Sequence, residues 1–455
     1  MRVHFTSIGG SVMHQLAIAL KKKGYVVTGT DDEIYEPARS ALKAEGLLPD
    51  KDGWDPSKIT PDLDAVILGM HAKADNPELI KAQELGLKIY SFPSYIFNES
   101  KDKKRIVVGG SHGKTTTTSM IMHVLKDAGK DFDYMVGARL KGFNQSVSIT
   151  NAPLIVCEGD EYPASVLEKK PKFHFLHPHI AILTGIAWDH INVFPSFENY
   201  LEQFRIFISK IEPGGVLIYF EEDPELKKLV ESCKREDLSY LPYGLPKHEV
   251  SGGKTKLFIE DASAEIQVFG DHNLLNIHAA WLACKQTGVT AVEFCKAIAK
   301  FQGASRRLEL VAEGNDIKVF RDFAHAPSKL KATIEAVKKQ FPDRKIVAVF
   351  ELHTYSSLNA AFLSQYAKSM DPAHEAAVCF SHHALEIKRL PPLSKEEVFR
   401  AFEKPGLEVL TNRSEIENWL NSRQFHHSVL LLMSSGDFDG MDILTFARKI
   451  THQQS

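Results

Sequence analysis

The sequence predicts an α/β protein built in three successive units, and three observations predict it. Short apolar runs alternate with helix-period segments along almost the whole chain. Examples are "VHFTSI", "RIVVGG", "LIVCEG", "VLIYF", "KIVAVFEL" and "SVLLLM"; strands of this kind are buried on both faces and joined by crossover helices. Two of these runs end in paired glycines, Gly9-Gly10 and Gly109-Gly110, where a strand hands over to a helix. At 455 residues the chain is also too long for one core. The boundaries are expected near 1–103, 104–308 and 309–455.

Composition narrows the function classes. Apolar residues make up 44% and charged residues 25%, ordinary for a globular protein, and the net charge of −3 gives no reason to expect nucleic-acid binding. Cys157, Cys233, Cys284, Cys295 and Cys379 form no CxxC pair, so reduced thiols and a cytoplasmic location are expected. The opening "MRVHFTSIGG" runs straight into a strand rather than a secretory h-region. No run reaches the ~18 apolar residues of a membrane span.

In the first unit, residues 3–8 read as a strand. "SVMHQLAIALKKKG" then reads as a helix, with Ser11 as its cap and Gly24 as its stop, and "YVVTGTDD" as a second strand. This βαβ opening is Rossmann-like, with a degraded dinucleotide fingerprint: Ser7 and Val12 flank Gly9-Gly10 where glycines would stand. A diphosphate can sit at such a helix start, and Asp31 can reach a ribose or base. The plain alternative is a structural βαβ half that takes no nicotinamide cofactor. "DAVILGMHAKADNPEL" and "LKIYSFPSYIF" add two more strands, and the charged "NESKDKKR" (98–105) reads as a linker.

The second unit opens with "RIVVGGSHGKTTTTSM". This is a phosphate loop with Val108 in place of its first glycine. Glycines let backbone N–H groups approach phosphate, and the following helix aims its positive end there. Lys114 can reach β- and γ-phosphates, and the Thr115 hydroxyl can ligate Mg²⁺. Carboxylate and imidazole candidates stand at two later strand ends: Glu158, Asp160 and Glu161 in "LIVCEGDEY", and Asp189 and His190 in "AILTGIAWDH". "KTKLFIEDASAEIQVFG" suggests a small antiparallel insertion, followed by a helix-rich stretch over 271–302. In "GDHNLLNIHAA", Asn273 and Asn276 are spaced to share a helix face and can read an adenine edge, or Asn273 can simply cap the helix. Arg306 and Arg307 lie where units two and three meet, so an arginine there can act on a γ-phosphate. The third unit repeats a parallel α/β pattern from Glu309.

Taken together, "GSHGKTTTTSM", "EGDEY", "WDH", "GDHNLLN", "SRRLE" and "DFAHAPS" resemble the Mur ligases in order and rough spacing, over nearly the whole chain. The resemblance implies a Rossmann-like UDP-binding domain, a P-loop ATPase-like central domain with a parallel sheet, and a Rossmann-like C-terminal domain. It implies an ATP- and Mg²⁺-dependent ligase in which an amine attacks an acyl phosphate of a UDP-N-acetylmuramic acid substrate. Gly110, Ser111, His112, Gly113, Lys114, Thr115 and Thr116 would then hold ATP, with Asn273, Asn276, Arg307 and Asp322. Thr115, Glu158 and His190 would hold metal. Gly9, Gly10, Ser11, Asp31 and His71 would bind the UDP-sugar. His325 and His353 would face the amine. Lys114, Glu158, His190 and Arg307 would carry the catalysis. The partners would be small molecules only, with no nucleic acid and no membrane, and the chain a monomer or weak dimer in a bacterial cytoplasm. A non-catalytic UDP-sugar or nucleotide-binding regulator, a folate polyglutamate ligase and a kinase are the competing classes.

Departures from the family pattern are also legible. Arg205 stands where several relatives carry a carbamate-forming lysine, and Arg321 and Ala326 replace an Asp and a His. Two family branches use UDP-N-acetylmuramate itself, one adding L-alanine and one adding L-alanyl-γ-D-glutamyl-meso-diaminopimelate. The long Glu158–His190 stretch with "LEKKPKFHFLHP", the segment "WDHINVFPSFENYLEQF", "DFAHAPS" and "MSSGDFDG" resemble the tripeptide branch. In "ELHTYSSLN", Thr354 and Ser357 occupy the places of two arginines of the alanine-adding pattern, which would clamp a free carboxylate. The arginine that the tripeptide branch carries near His353 is missing too.

Overall fold

Residues 1–70, 72–137, 140, 142–188, 193–303 and 308–453 are described by the structure, a computed structural model. They divide into two compact units. The first comprises Met1–Pro246, Ile259–Ala262 and Leu274–Ile298; the second comprises Lys247–Phe258, Ser263–Asn273 and Ala299–Ser455. The α/β class is as expected.

The first unit carries two parallel sheets. The N-terminal one contains β1 (Arg2–Thr6), β2 (Val26–Thr30), β3 (Ala65–Leu68) and β4 (Ile89–Ser91) in the order β2-β1-β3-β4, all parallel. The chain leaves β1 toward β2 on one side and later returns to β3 on the other. That reversal opens a crevice beyond the C-terminal end of β1, where Gly9 and Gly10 lie. The helix Met13–Lys22 buries Leu16, Ala17 and Leu20 against this sheet. Its end is as expected, since Gly24 takes a left-handed φ of 95°. Its start is not: the cap position is Val12, with no side-chain hydrogen bond, so Ser11 does not cap it.

The larger sheet contains β5 (Lys104–Gly109), β6 (Asp133–Met135), β7 (Val147–Ser148), β8 (Leu154–Glu158), β9 (Ile180–Leu183), β10 (Val216–Phe220) and β11 (Ser239–Tyr243). Their order is β11-β10-β9-β5-β8-β6-β7, parallel except for the β6–β7 pair. β5 sits between β8 and β9, so a second reversal falls at the end of β5, where the glycine-rich loop begins.

The expected linker at 98–105 is not one. Residues Phe92–Glu99 form a helix and β5 starts at Lys104. The Lys103 ammonium lies 2.8 Å from Asp133 and donates to the Thr150 and Ala152 carbonyls at 2.9 and 2.7 Å. The Arg105 guanidinium donates to Glu212 at 2.7 Å and to the carbonyls of Ser100 and His177, both at 2.8 Å. A charge run reads as solvated because unpaired charge is costly to bury. Here each buried cation has its partner on a distant strand or loop.

A small sheet follows, β12 (His248–Ser251), β13 (Lys254–Ile259) and β14 (Ala262–Ile266), in that order and with β12 and β13 antiparallel, as expected of the insertion. The second unit's main sheet has β15 (Glu309–Glu313), β16 (Ile317–Asp322), β17 (Lys345–Glu351), β18 (Glu375–Cys379), β19 (Glu408–Leu410) and β20 (Ser428–Met433). Its order is β15-β16-β20-β17-β18-β19, with only β15 antiparallel.

Candidate functional site

The phosphate loop is shaped by contacts only glycine permits. Gly110 has φ 122°, and a Cβ there would lie 2.3 Å from the Thr184 hydroxyl and 2.8 Å from its amide. Gly113 has φ 82°, and its Cβ would lie 2.4 Å from Asn276 Oδ1. Between them Ser111 shares a 2.8 Å hydrogen bond with the Tyr200 hydroxyl, accepts from the Ala187 amide at 2.8 Å, and donates its own amide to Gly185. Thr184 donates to the His112 carbonyl. The helix Lys114–Asp127 then begins with Gly113 as its left-handed cap. Four successive threonines are poor helix formers, but Thr116, Thr117 and Thr118 are buried, so packing decides.

Two side chains converge on the helix start. The Lys114 ammonium donates to the Gly110 carbonyl at 2.6 Å and to Glu161 Oε2 at 2.8 Å. The Thr115 hydroxyl donates to Glu158 Oε1 at 2.6 Å, and Glu158 Oε2 accepts from the Gly137 amide at 2.7 Å. Asn276 accepts from the Thr117 hydroxyl at 3.2 Å, which ties it to the loop's helix. Asn273 lies inside the helix Asp271–Lys285 rather than capping it, and donates to the Phe269 carbonyl at 2.8 Å. Asp189, His190, Arg306 and Arg307 lie outside the described residues, as does His71.

At the crevice beyond β1 a cavity of about 420 Å³ is lined by Gly9, Gly10, Ser11, His14, Asp31 and Trp54 among others. The Asp31 carboxylate accepts from the Gly9 amide at 2.7 Å, and a Cβ on Gly9 would lie 2.9 Å from that same oxygen. Burial pushes the Asp31 carboxyl up to about 7, against the opposing pull of the Gly9 hydrogen bond. Its folded pKa therefore exceeds the unfolded carboxylate value near 4. The associated stability is fully present below about pH 4 and is lost as pH rises through 7. Asp31→Asn is expected to flatten the melting temperature between pH 4 and 7, which a thermal melt series checks; an unchanged slope would contradict the assignment.

Sequence reasoning missed what supports this cavity. Glu78, fully buried, accepts from the Thr6 hydroxyl at 3.1 Å, the Thr30 hydroxyl at 2.5 Å and the Asp55 amide at 2.8 Å, and lies 3.2 Å from His4 Nε2. The Asp55 bond, together with the Gly53 amide donating to the Asp31 carbonyl at 2.7 Å, pins the loop that carries Trp54. A signal existed: His4 and Thr6, and Thr28 and Thr30, repeat with period two on one face of adjacent strands.

Comparison with known proteins decides the family. Sequence profiles described as "Mur ligase family, catalytic domain", "Mur ligase middle domain" and "Mur ligase, glutamate ligase domain" match residues 2–97, 108–284 and 306–436. The chain is 30% identical to a protein of Sulfurihydrogenibium sp. named UDP-N-acetylmuramate--L-alanine ligase, over 96% of this chain and 95% of that one. It is 31% identical to the protein of the same name from Mycobacterium marinum, over 85% and 82%. The chain belongs to the Mur ligase family. Members of this family are ATP-dependent amide-bond ligases. In fold, this Mur ligase resembles the UDP-N-acetylmuramate-alanine ligase MurC of Thermotoga maritima, with TM-score 0.69 and 22% identity over 100% of this chain and 99% of that one. It also resembles a murein peptide ligase of Psychrobacter arcticus, with TM-score 0.61 and 24% identity over 98% of each.

The second unit of this Mur ligase holds the remaining candidates at strand ends. Asp322 accepts from the Leu308 and Ala324 amides at 2.7 and 2.8 Å. The His325 ring contacts the Phe323 carbonyl at 2.9 Å, while its own carbonyl accepts from the Tyr366 hydroxyl at 2.6 Å. His353 packs so closely on Gly436 that a Cβ there would lie 2.5 Å from Nδ1. Buried Glu351 beside it accepts from the Ser434 hydroxyl and the Phe438 amide. Arg205 pairs with Glu202 on its own helix, Phe197–Ser209. No described helix is long and apolar enough to cross a membrane.

Proposed function

We propose that this Mur ligase joins UDP-N-acetylmuramate to L-alanyl-γ-D-glutamyl-meso-diaminopimelate in the bacterial cytoplasm, in peptidoglycan recycling. ATP would phosphorylate the sugar-acid carboxylate, and the peptide amine would displace phosphate to form the amide. Residues 1–103 would take the UDP-sugar, 104–308 ATP, and 309–455 the amine. What supports the peptide reading is the long stretch from Glu158 to His190 with "LEKKPKFHFLHP", which resembles the tripeptide branch; beside it stands the hydroxyl pair at Thr354 and Ser357, 3.0 Å apart. The alanine-adding pattern has arginines at both places. Without them this stretch offers no bidentate clamp for the carboxylate of a free amino acid, whereas a peptide brings further groups to be recognised.

Within the phosphate loop, Lys114 is held at the helix start and presents positive charge to the β- and γ-phosphates. Mg²⁺ fits the donor set, because Thr115 and Glu158 bring two hard oxygens together at 2.6 Å. Mg²⁺ is commonly held by one or two carboxylates and the substrate phosphates. Thr115, Glu158 and His190 would hold it, and when bound it neutralises charge as two anions meet. Asp31 and the Gly9-Gly10 turn would orient the UDP moiety in the N-terminal cavity.

A second reading, addition of free L-alanine, is favoured by the names of the sequence relatives. Steady-state ADP release with UDP-N-acetylmuramate, comparing the tripeptide with L-alanine, separates the two. The expected result is a kcat/KM for the tripeptide at least tenfold higher. The reverse preference would establish the alanine reading, and no ADP with either amine would leave a nucleotide-binding regulator.

A further inference from the structure

Glu161 makes a 2.8 Å charge contact to the phosphate-loop lysine without being a proposed ligand of nucleotide or metal. We infer that Glu161 is a positioning residue that holds the Lys114 ammonium as a latch and whose charge opposes the nucleotide's phosphates. This inference rests on the reading of Lys114 as a phosphate ligand.

The pair is unusually enclosed for a lysine that has to meet a substrate. Its N–O distance is 2.8 Å, with side-chain exposures of 14% for Lys114 and 2% for Glu161. The turn carrying Glu161 is rigid. The Gly159 amide donates to the Val108 carbonyl at 2.8 Å, and a Cβ on Gly159 would meet that carbonyl at 3.1 Å. Asp160 is anchored by Lys172 at 2.6 Å and accepts from the Tyr162 amide at 3.2 Å. These contacts anchor the backbone on the strand side of Glu161.

An ammonium has three N–H donors. Gly110 and Glu161 take two of them, so the direction of the third is set. A polyphosphate approaching that lysine also meets a fixed negative charge behind it. Like charges in a poorly hydrated site repel strongly. Glu161 thus aims Lys114 and at the same time weakens ground-state binding of nucleotide, which favours departure of ADP after each turnover.

The test is calorimetric titration of ADP with Mg²⁺ into full-length wild type, Glu161→Gln, Glu161→Asp and Lys114→Ala, with steady-state kinetics on each. Glu161→Gln keeps the shape and removes the charge. It is expected to bind ADP at least threefold more tightly and to lower KM for ATP, while kcat falls as ADP leaves more slowly. Glu161→Asp retains the charge one methylene further back and is expected to fall between the two; it also serves if the Gln variant does not fold. A purely structural role would lower the melting temperature without this opposed movement of KM and kcat. Unchanged or weaker ADP binding in either folded Glu161 variant would overturn the latch. If Lys114→Ala binds ADP as well as wild type does, the phosphate-loop reading itself fails. If that variant loses ADP but Glu161→Gln gains nothing, only the latch fails.

Discussion

Lys114→Ala is expected to lower the rate of ADP release by about a hundred- to a thousandfold, the range seen when one preorganised charge-stabilising group is removed from an active site. Binding of UDP-N-acetylmuramate should hold within about twofold, because the cavity proposed to take it is lined by Gly9, Gly10 and Asp31 and not by the phosphate loop. The variant carries a second effect that has to be separated from the first. Deleting the lysine removes the cation 2.8 Å from the buried Glu161 carboxylate, and breaking a buried pair costs about 3–5 kcal/mol. The double variant Lys114→Ala/Glu161→Gln should therefore recover most of the lost melting temperature and none of the lost turnover. Recovery of both would mean that Lys114 is structural. An ADP-release assay and thermal melts on both variants check this.

Glu78→Ala should produce a large loss of stability in the N-terminal βα unit. It strands the Thr6 and Thr30 hydroxyls, the Asp55 amide and Nε2 of the buried His4 ring. Each buried polar group left without a partner costs roughly 1–3 kcal/mol, so a loss of about 3–5 kcal/mol in urea unfolding is expected, partly offset where water enters. The pH signature is opposite to that of Asp31. Burial alone would raise the Glu78 carboxyl, but hydrogen bonds from His4, Thr30 and the Asp55 amide outweigh it and hold it below the usual range. A depressed carboxyl contributes stability above its unfolded pKa near 4 and loses it as pH falls through the folded value. The wild type should accordingly lose stability below about pH 4 more steeply than Glu78→Gln does. UDP-N-acetylmuramate affinity should fall with Glu78→Ala, because the loop that holds Trp54 against the cavity is anchored through Asp55. A variant with wild-type urea midpoint would contradict the role given to this cluster.

Much of the architecture was legible because burial on both faces leaves a simple trace. β5, β8, β9, β17 and β20 are apolar runs bounded by turn residues, and each appears where the pattern puts it. The phosphate loop was legible for a different reason: the left-handed φ of Gly110 and Gly113 and the lysine and threonine that follow are local properties. What escaped was non-local. The run at 98–105 looks solvated in sequence, and only the fold brings Asp133 and Glu212 to Lys103 and Arg105. Glu78 looks like an acidic residue in a helix's first turn until β1, β2 and the Asp55 loop close around it. Trp54 sits in a polar turn, and nothing local says that the turn forms a cavity wall. Asn273 and Asn276 share a spacing but bond different groups, the Phe269 carbonyl before their own helix and the Thr117 hydroxyl of the phosphate-loop helix.

On the proposed function, this chain uses its phosphate loop to convert a sugar-acid carboxylate into an acyl phosphate that an amine captures. UDP-N-acetylmuramate labelled with oxygen-18 in its carboxyl group, incubated with ATP, Mg²⁺ and the tripeptide or L-alanine, tests it most directly. The expected result is one labelled oxygen in the phosphate released per amide formed, with labelled phosphate appearing about a hundred- to a thousandfold more slowly in Lys114→Ala. Amide formation with unlabelled phosphate would contradict it.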